Sequence, residues 1–174
     1  MQMQVVKARK SHLQDVLEVI YASRDHLISI GISQWDNHYP NEESVLRDLT
    51  DENLYIAALA DSLVGTIAFS QDQEPEYTQI QWFYPGPCLV IHRLCVSPSH
   101  QGRGVGSSLM RFAEEYAKVN RFNSLRLDVY TGNPDAVNFY KNLGYEIVGQ
   151  VMFPRRTLPF YCMEKDINPT ADST

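Results

Sequence analysis

Apolar positions follow two different spacings along the chain. Over residues 13–28 and 105–117 they recur every three or four residues, which predicts two amphipathic helices, and a shorter helix is predicted over 42–49. Other segments alternate between apolar and polar residues or are continuously apolar, as strands do. The predicted strands cover residues 4–9, 53–60, 63–70, 88–96, 124–131, 145–151 and 159–166.

Several segment ends carry recognisable signals. Ser11 begins an S-x-x-Q capping box at the start of the first helix, and Gly31 follows the last apolar position of that helix. A further short helix has Asn133 at its N-cap position, Pro134 at its first position and Gly144 beyond its end. These signals fix where both helices are expected to begin and end.

The stretch CLVIHRLCV, residues 88–96, is apolar almost throughout, which is typical of a central strand covered on both faces. Strands and helices alternate in the second half of the chain, so we expect an α/β or α+β fold with helices on the faces of a sheet. Because the sequence contains no repeat and no evident linker, one domain is predicted over residues 1–167, with a flexible tail at 168–174.

Composition excludes several classes of protein. The content of 44% hydrophobic and 21% charged residues is ordinary for a globular protein, and no apolar run approaches the roughly 20 residues that span a bilayer. The N-terminus lacks the apolar core of a secretion signal, so a cytoplasmic protein without membrane contact is expected. Three irregularly spaced cysteines favour neither a disulfide framework nor a metal site. A net charge of −6 disfavours nucleic acid as a partner.

The distribution of charge points to an anion site. No Asp or Glu occurs from residue 77 to residue 113, although 21 acidic residues in 174 would place about four there. This window holds the loop QGRGVG, residues 101–106, directly before a predicted helix. Alternating glycines let backbone N–H groups converge on one anion, which makes phosphate the natural ligand. A glycine-rich turn without a ligand, or chance clustering of charges, is the alternative that the loop alone leaves open.

Two nucleotide-binding motifs fail on particular residues. A Walker A loop requires G-K-[ST], but Gly106 is followed by Ser107 and Ser108. A Rossmann fingerprint requires Gly or Ala at position 107 and a first glycine directly after the strand, whereas SPSHQ separates Val96 from Gly102. A generic nucleotide-binding enzyme is therefore disfavoured.

The loop and a second segment together resemble the GNAT family of N-acetyltransferases. The family signature [RQ]-x-x-G-x-[GA] matches residues 101–106, after a strand ending LCV. Downstream, NPDAVNFYKNLGY (133–145) is similar to the family pattern N-x-x-A-x-x-F-Y-x-x-x-G-[FY]. The resemblance covers about residues 3–166 and is closest to small, single-domain, bacterial-type members. It implies a mixed, mostly antiparallel sheet of about seven strands with about four helices and with the central strands splayed.

The resemblance also implies acetyl-CoA as the co-substrate, without a metal ion. In this family the backbone of the signature loop holds the pyrophosphate, and the pantetheine arm pairs with the preceding strand. The residues so assigned to acetyl-CoA are Leu94, Cys95, Val96, Gln101, Gly102, Arg103, Gly104, Val105, Gly106, Ser107, Asn133 and Tyr140. For Asn133, a plain N-cap is an alternative that is compatible with this role.

Three groups match the catalytic positions of the family. Tyr140 matches the tyrosine that protonates the departing thiolate, and the amide of Leu94 would stabilise the oxyanion. His92 lies where some members carry a general base, but Glu74, Glu76 or a water chain are open alternatives. For both Tyr140 and His92, a role in the core is the competing interpretation. Transfer is expected to be direct, because strand alternation puts Cys95 on the face opposite His92.

In the family, the segments around residues 31–41 and 74–86 shape the acceptor site. Here they are rich in aromatic and acidic residues, which suits a cationic amine of a small molecule or a peptide. The residues assigned to acceptor binding are Trp35, Tyr39, Glu74, Glu76, Trp82 and Tyr84. Each aromatic could instead wedge a helix onto the sheet.

The sequence leaves several alternatives open. A non-catalytic acyl-CoA-binding or regulatory module could share the same fold, although such a module would not need Tyr140 or His92. The sequence does not indicate which amine is the acceptor, whether longer acyl donors are used, or how the protein assembles. Dimers are common among relatives, so a homodimer is among the expected states.

Overall fold

The computed structural model describes residues 2–168, and within them each predicted strand is formed. The strands are β1 Met3–Lys7, β2 Leu54–Leu59, β3 Ser62–Ser70, β4 Cys88–Val96, β5 Ser124–Tyr130, β6 Glu146–Val151 and β7 Phe160–Asp166. The helices are α1 Leu13–Ser29, α2 Glu42–Thr50, α3 Val105–Val119 and α4 Pro134–Asn142. Short 3-10 helices lie at Lys10–His12, Pro75–Gln79 and Pro98–His100.

The strands form a mixed sheet in the order β1-β2-β3-β4-β5-β7-β6. The ladders β1–β2, β2–β3, β5–β7 and β6–β7 are antiparallel. The ladder between β4 and β5 is parallel and joins Cys88–Val90 to Ser124–Arg126, at the start of both strands. The predicted fold class of seven strands and four helices is confirmed.

Local sequence signals explain most helix ends. Asn133 caps α4 by accepting a hydrogen bond from the amide of Ala136 at 3.2 Å, and Gly144 follows the helix with φ +93°. The predicted cap at Ser11 is wrong, because Ser11 lies inside the 3-10 turn. There the ring nitrogen Nδ1 of His12 accepts a hydrogen bond from the amide of Arg9 at 2.9 Å, and as the N-cap residue of α1 His12 makes no side-chain capping hydrogen bond.

The chain divides into two compact units, each built from two segments. The first unit comprises Met1–Phe69 and His92–Phe112. Its core lies between α1, α2 and the sheet, and the side chain of Cys95 belongs to it. Fully buried core residues of this unit include Val16, Val45 and Ala57.

The second unit comprises Ser70–Ile91 and Ala113–Thr174. Buried side chains of β5 and β7, such as Leu125, Leu127 and Met163, form much of its core. A single domain over residues 1–167 stays a prediction. Of the predicted tail at 168–174, only Asn168 is described, and its amide side chain donates to the carbonyl of Phe122 at 2.8 Å. None of the helices formed by residues 2–168 has the length and hydrophobicity of a transmembrane segment.

Candidate functional site

The glycine loop of the first unit is open and left-handed. Gly102 and Gly104 have φ +74° and +82°, a region that side-chain-bearing residues rarely adopt. A Cβ at either glycine would meet no protein atom within 4 Å. Glycine is therefore needed at these two positions for the backbone conformation and not for close packing. The space beside the main chain is open to a ligand.

The loop ends at the N-terminus of α3. The first helical hydrogen bond runs from the amide of Ser108 to the carbonyl of Gly104 at 3.0 Å. The amides of Val105, Gly106 and Ser107 precede it and have no partner within the helix. Arg103 is exposed and makes no hydrogen bond or ion pair with the part of the chain that the structure describes. Open amides, the helix dipole and one guanidinium together suit an anion.

The end of β4 is tied to this loop and to α1. The carbonyl of Val96 accepts hydrogen bonds from the hydroxyl of Ser23 at 2.9 Å and from the side-chain amide of Gln101 at 3.4 Å. Leu94 is half-buried, whereas Cys95 is buried and its thiol donates to the carbonyl of Val19 at 3.7 Å. Burial raises the pKa of Cys95 to about 12, so its sulfur stays a thiol and does not suit an acyl carrier.

The predicted acceptor residues of the first unit also have structural contacts. The hydroxyl of Tyr39 accepts a hydrogen bond from Arg93 at 2.7 Å, and Arg93 also pairs with Asp48. Trp35 packs on the hydrophobic core, as the wedge interpretation expects. His92 is half-buried on β4.

In the second unit, Tyr140 is buried on α4 with 9% of its surface exposed. Burial and, second, the carboxylate of Asp128 raise the pKa of the Tyr140 phenol above its ordinary value. The phenol therefore keeps its proton throughout the neutral range, and in this environment it is a weaker acid than a solvent-exposed tyrosine. Asn133, the other predicted ligand in this unit, is buried and caps α4.

Asp128 of β5 forms a polar cluster with Tyr77, to which it is hydrogen-bonded, and with Glu74 and Glu76, with which it interacts electrostatically. The hydroxyl of Tyr77 donates to Oδ2 of Asp128 at 2.6 Å. Burial raises the pKa of Asp128 to about 7; the Tyr77 hydrogen bond lowers it, and the carboxylates of Glu74 and Glu76 raise it. Desolvation, followed by Glu76, likewise raises the pKa of Glu74.

The sequence motifs do not indicate that Asp128 and Tyr77 form a pair. The signal that could have found Asp128 is its position as an acid inside an otherwise buried strand, where an ionisable group needs a partner or a function. No local pattern could have found its partner, because Tyr77 lies 51 residues away in the chain.

Trp82 and Tyr84 take part in a second network of this unit. The ring of Trp82 lies 4.4 Å from the guanidinium of Arg126 and its N–H donates to the carbonyl of Tyr77 at 3.2 Å. The hydroxyl of Tyr84 donates to Glu146 at 3.3 Å. Both aromatics thus support the segment that carries Glu74 and Glu76.

Glu164 anchors this segment. It is fully buried and accepts hydrogen bonds from the amides of Phe83 and Tyr84 at 2.7 and 3.1 Å. Its other oxygen accepts from the hydroxyl of Ser124 at 3.1 Å and from Arg126 at 2.9 Å. Arg126 in turn donates to the side-chain oxygen of Gln73 at 3.0 Å. Residues 73–84 are consequently held at both ends.

Among residues 2–168, no group of three or more His, Cys, Asp or Glu side chains has the arrangement of a metal site. The three cysteines are free and buried.

Comparison with known proteins identifies relatives over most of the chain. The model of the Acetyltransferase (GNAT) family matches residues 21–145. Streptothricin acetyltransferase of Escherichia coli is 35% identical over 69 residues, which is 40% of this chain and 40% of that protein. The first curated relatives are matched over only 25–40% of their own length. The uncharacterized N-acetyltransferase YesJ of Bacillus subtilis is 21% identical over 141 residues, 78% of this chain and 77% of that protein.

Solved structures share the fold. A GNAT-family acetyltransferase from Streptococcus agalactiae superposes with a TM-score of 0.80 at 20% identity, covering 94% of this chain and 95% of that one. The PaiA N-acetyltransferase from Thermoplasma acidophilum, solved in complex with coenzyme A, gives a TM-score of 0.74 at 18% identity. It covers 95% of this chain and 99% of its own.

Proposed function

The chain belongs to the Acetyltransferase (GNAT) family, and on that premise we propose that it transfers the acetyl group of acetyl-CoA directly to a primary amine of a small molecule or peptide. The observation that carries the proposal is the pair of left-handed glycines, with open space beside them, at the start of α3. This is where the signature of the family falls, and its geometry suits a diphosphate.

The first unit carries the groups that we assign to acetyl-CoA. The amides of residues 101–107 and the charge of Arg103 would hold the pyrophosphate. The backbone of Leu94, Cys95 and Val96 would pair with the pantetheine arm, with Val96 using its amide because its carbonyl already accepts two hydrogen bonds. When bound, acetyl-CoA supplies a thioester carbon that an amine can attack. The amide of Leu94 would donate to the carbonyl oxygen as negative charge develops there.

The second unit carries the groups that we assign to proton transfer, except for His92, which belongs to the first unit. The amine nitrogen forms a bond to the acetyl carbon, the carbon–sulfur bond breaks, and Tyr140 gives its proton to the leaving sulfur. The proton that the nitrogen loses after the attack would restore the phenol of Tyr140. A base must take one proton from the incoming ammonium. Asp128 joins His92, Glu74 and Glu76 as a candidate, and its pKa of about 7 favours it because it is substantially ionised at neutral pH.

The acceptor is proposed to be cationic before reaction. Glu74, Glu76 and Asp128 interact with one another electrostatically, so an ammonium beside them would relieve their mutual repulsion. Trp82 and Tyr84 would shape this side of the acceptor site through the segment that they support, and Trp35 and Tyr39 would do so in the first unit.

The proposal is tested by following thiol release from acetyl-CoA with a panel of primary amines, alcohols and carboxylic acids. Amines alone should be acetylated, as judged by the mass of the product. Tyr140→Phe should lower kcat by about 100-fold or more, since general acids contribute roughly that much. Tyr145→Phe is the matched control, because it removes another buried hydroxyl, one that donates to Glu114 at 3.2 Å.

Equal activity of Tyr140→Phe and the parent would remove Tyr140 from the mechanism. CoA binding without acetylation of any amine would instead favour the non-catalytic module.

A further inference from the structure

The hydroxyl of Tyr77 is committed to one acceptor. It is buried, with 2% of the residue exposed, and its 2.6 Å contact with Oδ2 of Asp128 has the length typical of a hydrogen bond from a hydroxyl to an ionised carboxylate. A phenol next to a carboxylate can only donate, so the contact stabilises the ionised form of Asp128. It also restricts the rotation of the carboxyl group, because one oxygen is held by a buried hydroxyl.

Tyr77 is itself held from several directions. The ring of Trp82 lies 5.1 Å from that of Tyr77, and the Trp82 side chain donates to the Tyr77 carbonyl. The segment 73–84 around both residues is anchored at its two ends by Arg126 and Glu164. The position of the hydroxyl is thus set by the fold of the second unit.

The other ionisable groups around Asp128 in this unit either oppose its ionisation or are neutral. Glu74 and Glu76, at the 3-10 helix Pro75–Gln79, repel a negative charge on Asp128. From β7, Cys162 lies opposite Asp128 in the strand register, and its pKa of about 12 keeps it neutral. From α4, Tyr140 is a neutral phenol that interacts with Asp128. Tyr77 is thus the group whose hydrogen bond offsets burial and the two repelling carboxylates.

We propose that Tyr77 is the positioning residue of the general base: its hydroxyl holds Oδ2 of Asp128, leaves Oδ1 to receive the proton of the amine, and keeps the carboxylate ionised near neutral pH. This inference rests on the proposed function, because it assumes that Asp128 takes a proton from an amine acceptor. It assigns opposite effects to two neighbours, since Tyr77 favours and Glu74 disfavours the ionised carboxylate.

The opposite signs make the inference testable without an acceptor. The carboxyl carbon of Asp128 is titrated by ¹³C NMR in protein labelled at aspartate, and the signal is assigned with Asp128→Asn. In Tyr77→Phe, which keeps the ring on Trp82, the titration midpoint should rise by about one pH unit. In Glu74→Gln it should fall. Tyr145→Phe, the control, should leave it unchanged.

Kinetics then connect the titration to the reaction. The acidic limb of kcat/KM should move with the NMR midpoint, so that Tyr77→Phe is about fivefold slower than the parent at pH 7 and equal to it near pH 9.5. An unmoved midpoint in Tyr77→Phe, or a Glu74→Gln midpoint that does not fall, would overturn the inference. A shifted NMR midpoint of Asp128 without a matching shift in the pH profile of kcat/KM would overturn it as well. Failure to acetylate any amine would refute the proposed function instead, and the two failures are distinguishable because the NMR titration needs no turnover.

If Tyr77→Phe does not fold, as judged by circular dichroism, the exposed Glu74 decides the question. Its side chain makes no large contribution to the core, so Glu74→Gln should fold like the parent. A pH profile that shifts to lower pH in this variant supports the inference, and one that stays in place contradicts it.

Discussion

Replacing Gly104 with alanine separates backbone strain from ligand binding, because the chain contains a matched position. Gly104 has φ +82° and Gly31, after the end of α1, has φ +81°. A Cβ at either position meets no protein atom within 4 Å. Alanine in this left-handed region costs about 1–2 kcal/mol whatever the surrounding space. Gly31→Ala should therefore lower the melting temperature by about 2–8 °C for a chain of this size, and Gly104→Ala should lower it by at most the same amount, because any strain that its loop relieves is paid on binding instead.

Only Gly104→Ala should weaken the binding of CoA. If the loop relaxes towards negative φ, its amides turn away, and binding must restore the strained conformation. A cost of 1–2 kcal/mol corresponds to a Kd that is about 5- to 30-fold higher. Isothermal titration with CoA measures this, and scanning calorimetry gives the two melting temperatures. Parent-like CoA affinity in Gly104→Ala, or an equal loss of affinity in Gly31→Ala, would refute the assignment of the loop to the diphosphate.

Two further predictions concern the second unit and the thiols. Glu164→Gln should lower the free energy of unfolding, measured in urea, by about 3–5 kcal/mol, because it leaves the buried Arg126 without a counter-charge. Glu114→Gln loses only the partly exposed ion pair with Lys165 and should lower it by about 1 kcal/mol or less. Equal losses in the two variants would contradict the importance of burial. Iodoacetamide at pH 8 should leave the native mass unchanged and add three groups after denaturation, because all three cysteines are buried thiols with raised pKa values. Rapid labelling of one cysteine in the native protein would instead support transfer through an acetylated cysteine.

The elements were predictable from the sequence because they obey local rules. The apolar run at 88–96 predicts a strand there. The ends of α4 are predicted by Asn133, a favoured N-cap residue, and by Gly144, which readily adopts the left-handed conformation after a helix. The glycine loop was likewise predictable, since no other residue adopts its two positive φ values so readily. The start of α1 was not, because a 3-10 turn that contains Ser11 precedes the helix and the N-cap residue, His12, makes no side-chain capping hydrogen bond.

The polar clusters could not be predicted, because they join distant segments. Tyr77 meets Asp128 across 51 positions and Arg126 meets Glu164 across 38. Their side chains become partners only when the strand register and the course of residues 73–84 are fixed. Aromatic composition pointed to Trp82 as a ligand contact, but composition does not show that its face is already covered by a guanidinium.

The contact of Glu164 with main-chain amides has a consequence for how this protein could acquire new specificities. Two of the hydrogen bonds that hold residues 73–84 end on the backbone of Phe83 and Tyr84, which every residue except proline can supply. Side chains at exposed positions of this segment, such as 74 and 83, can therefore be exchanged while its course is retained. Under the proposed function, randomising them would sample new amine preferences while the backbone course is kept, which makes this stretch a starting point for directed evolution.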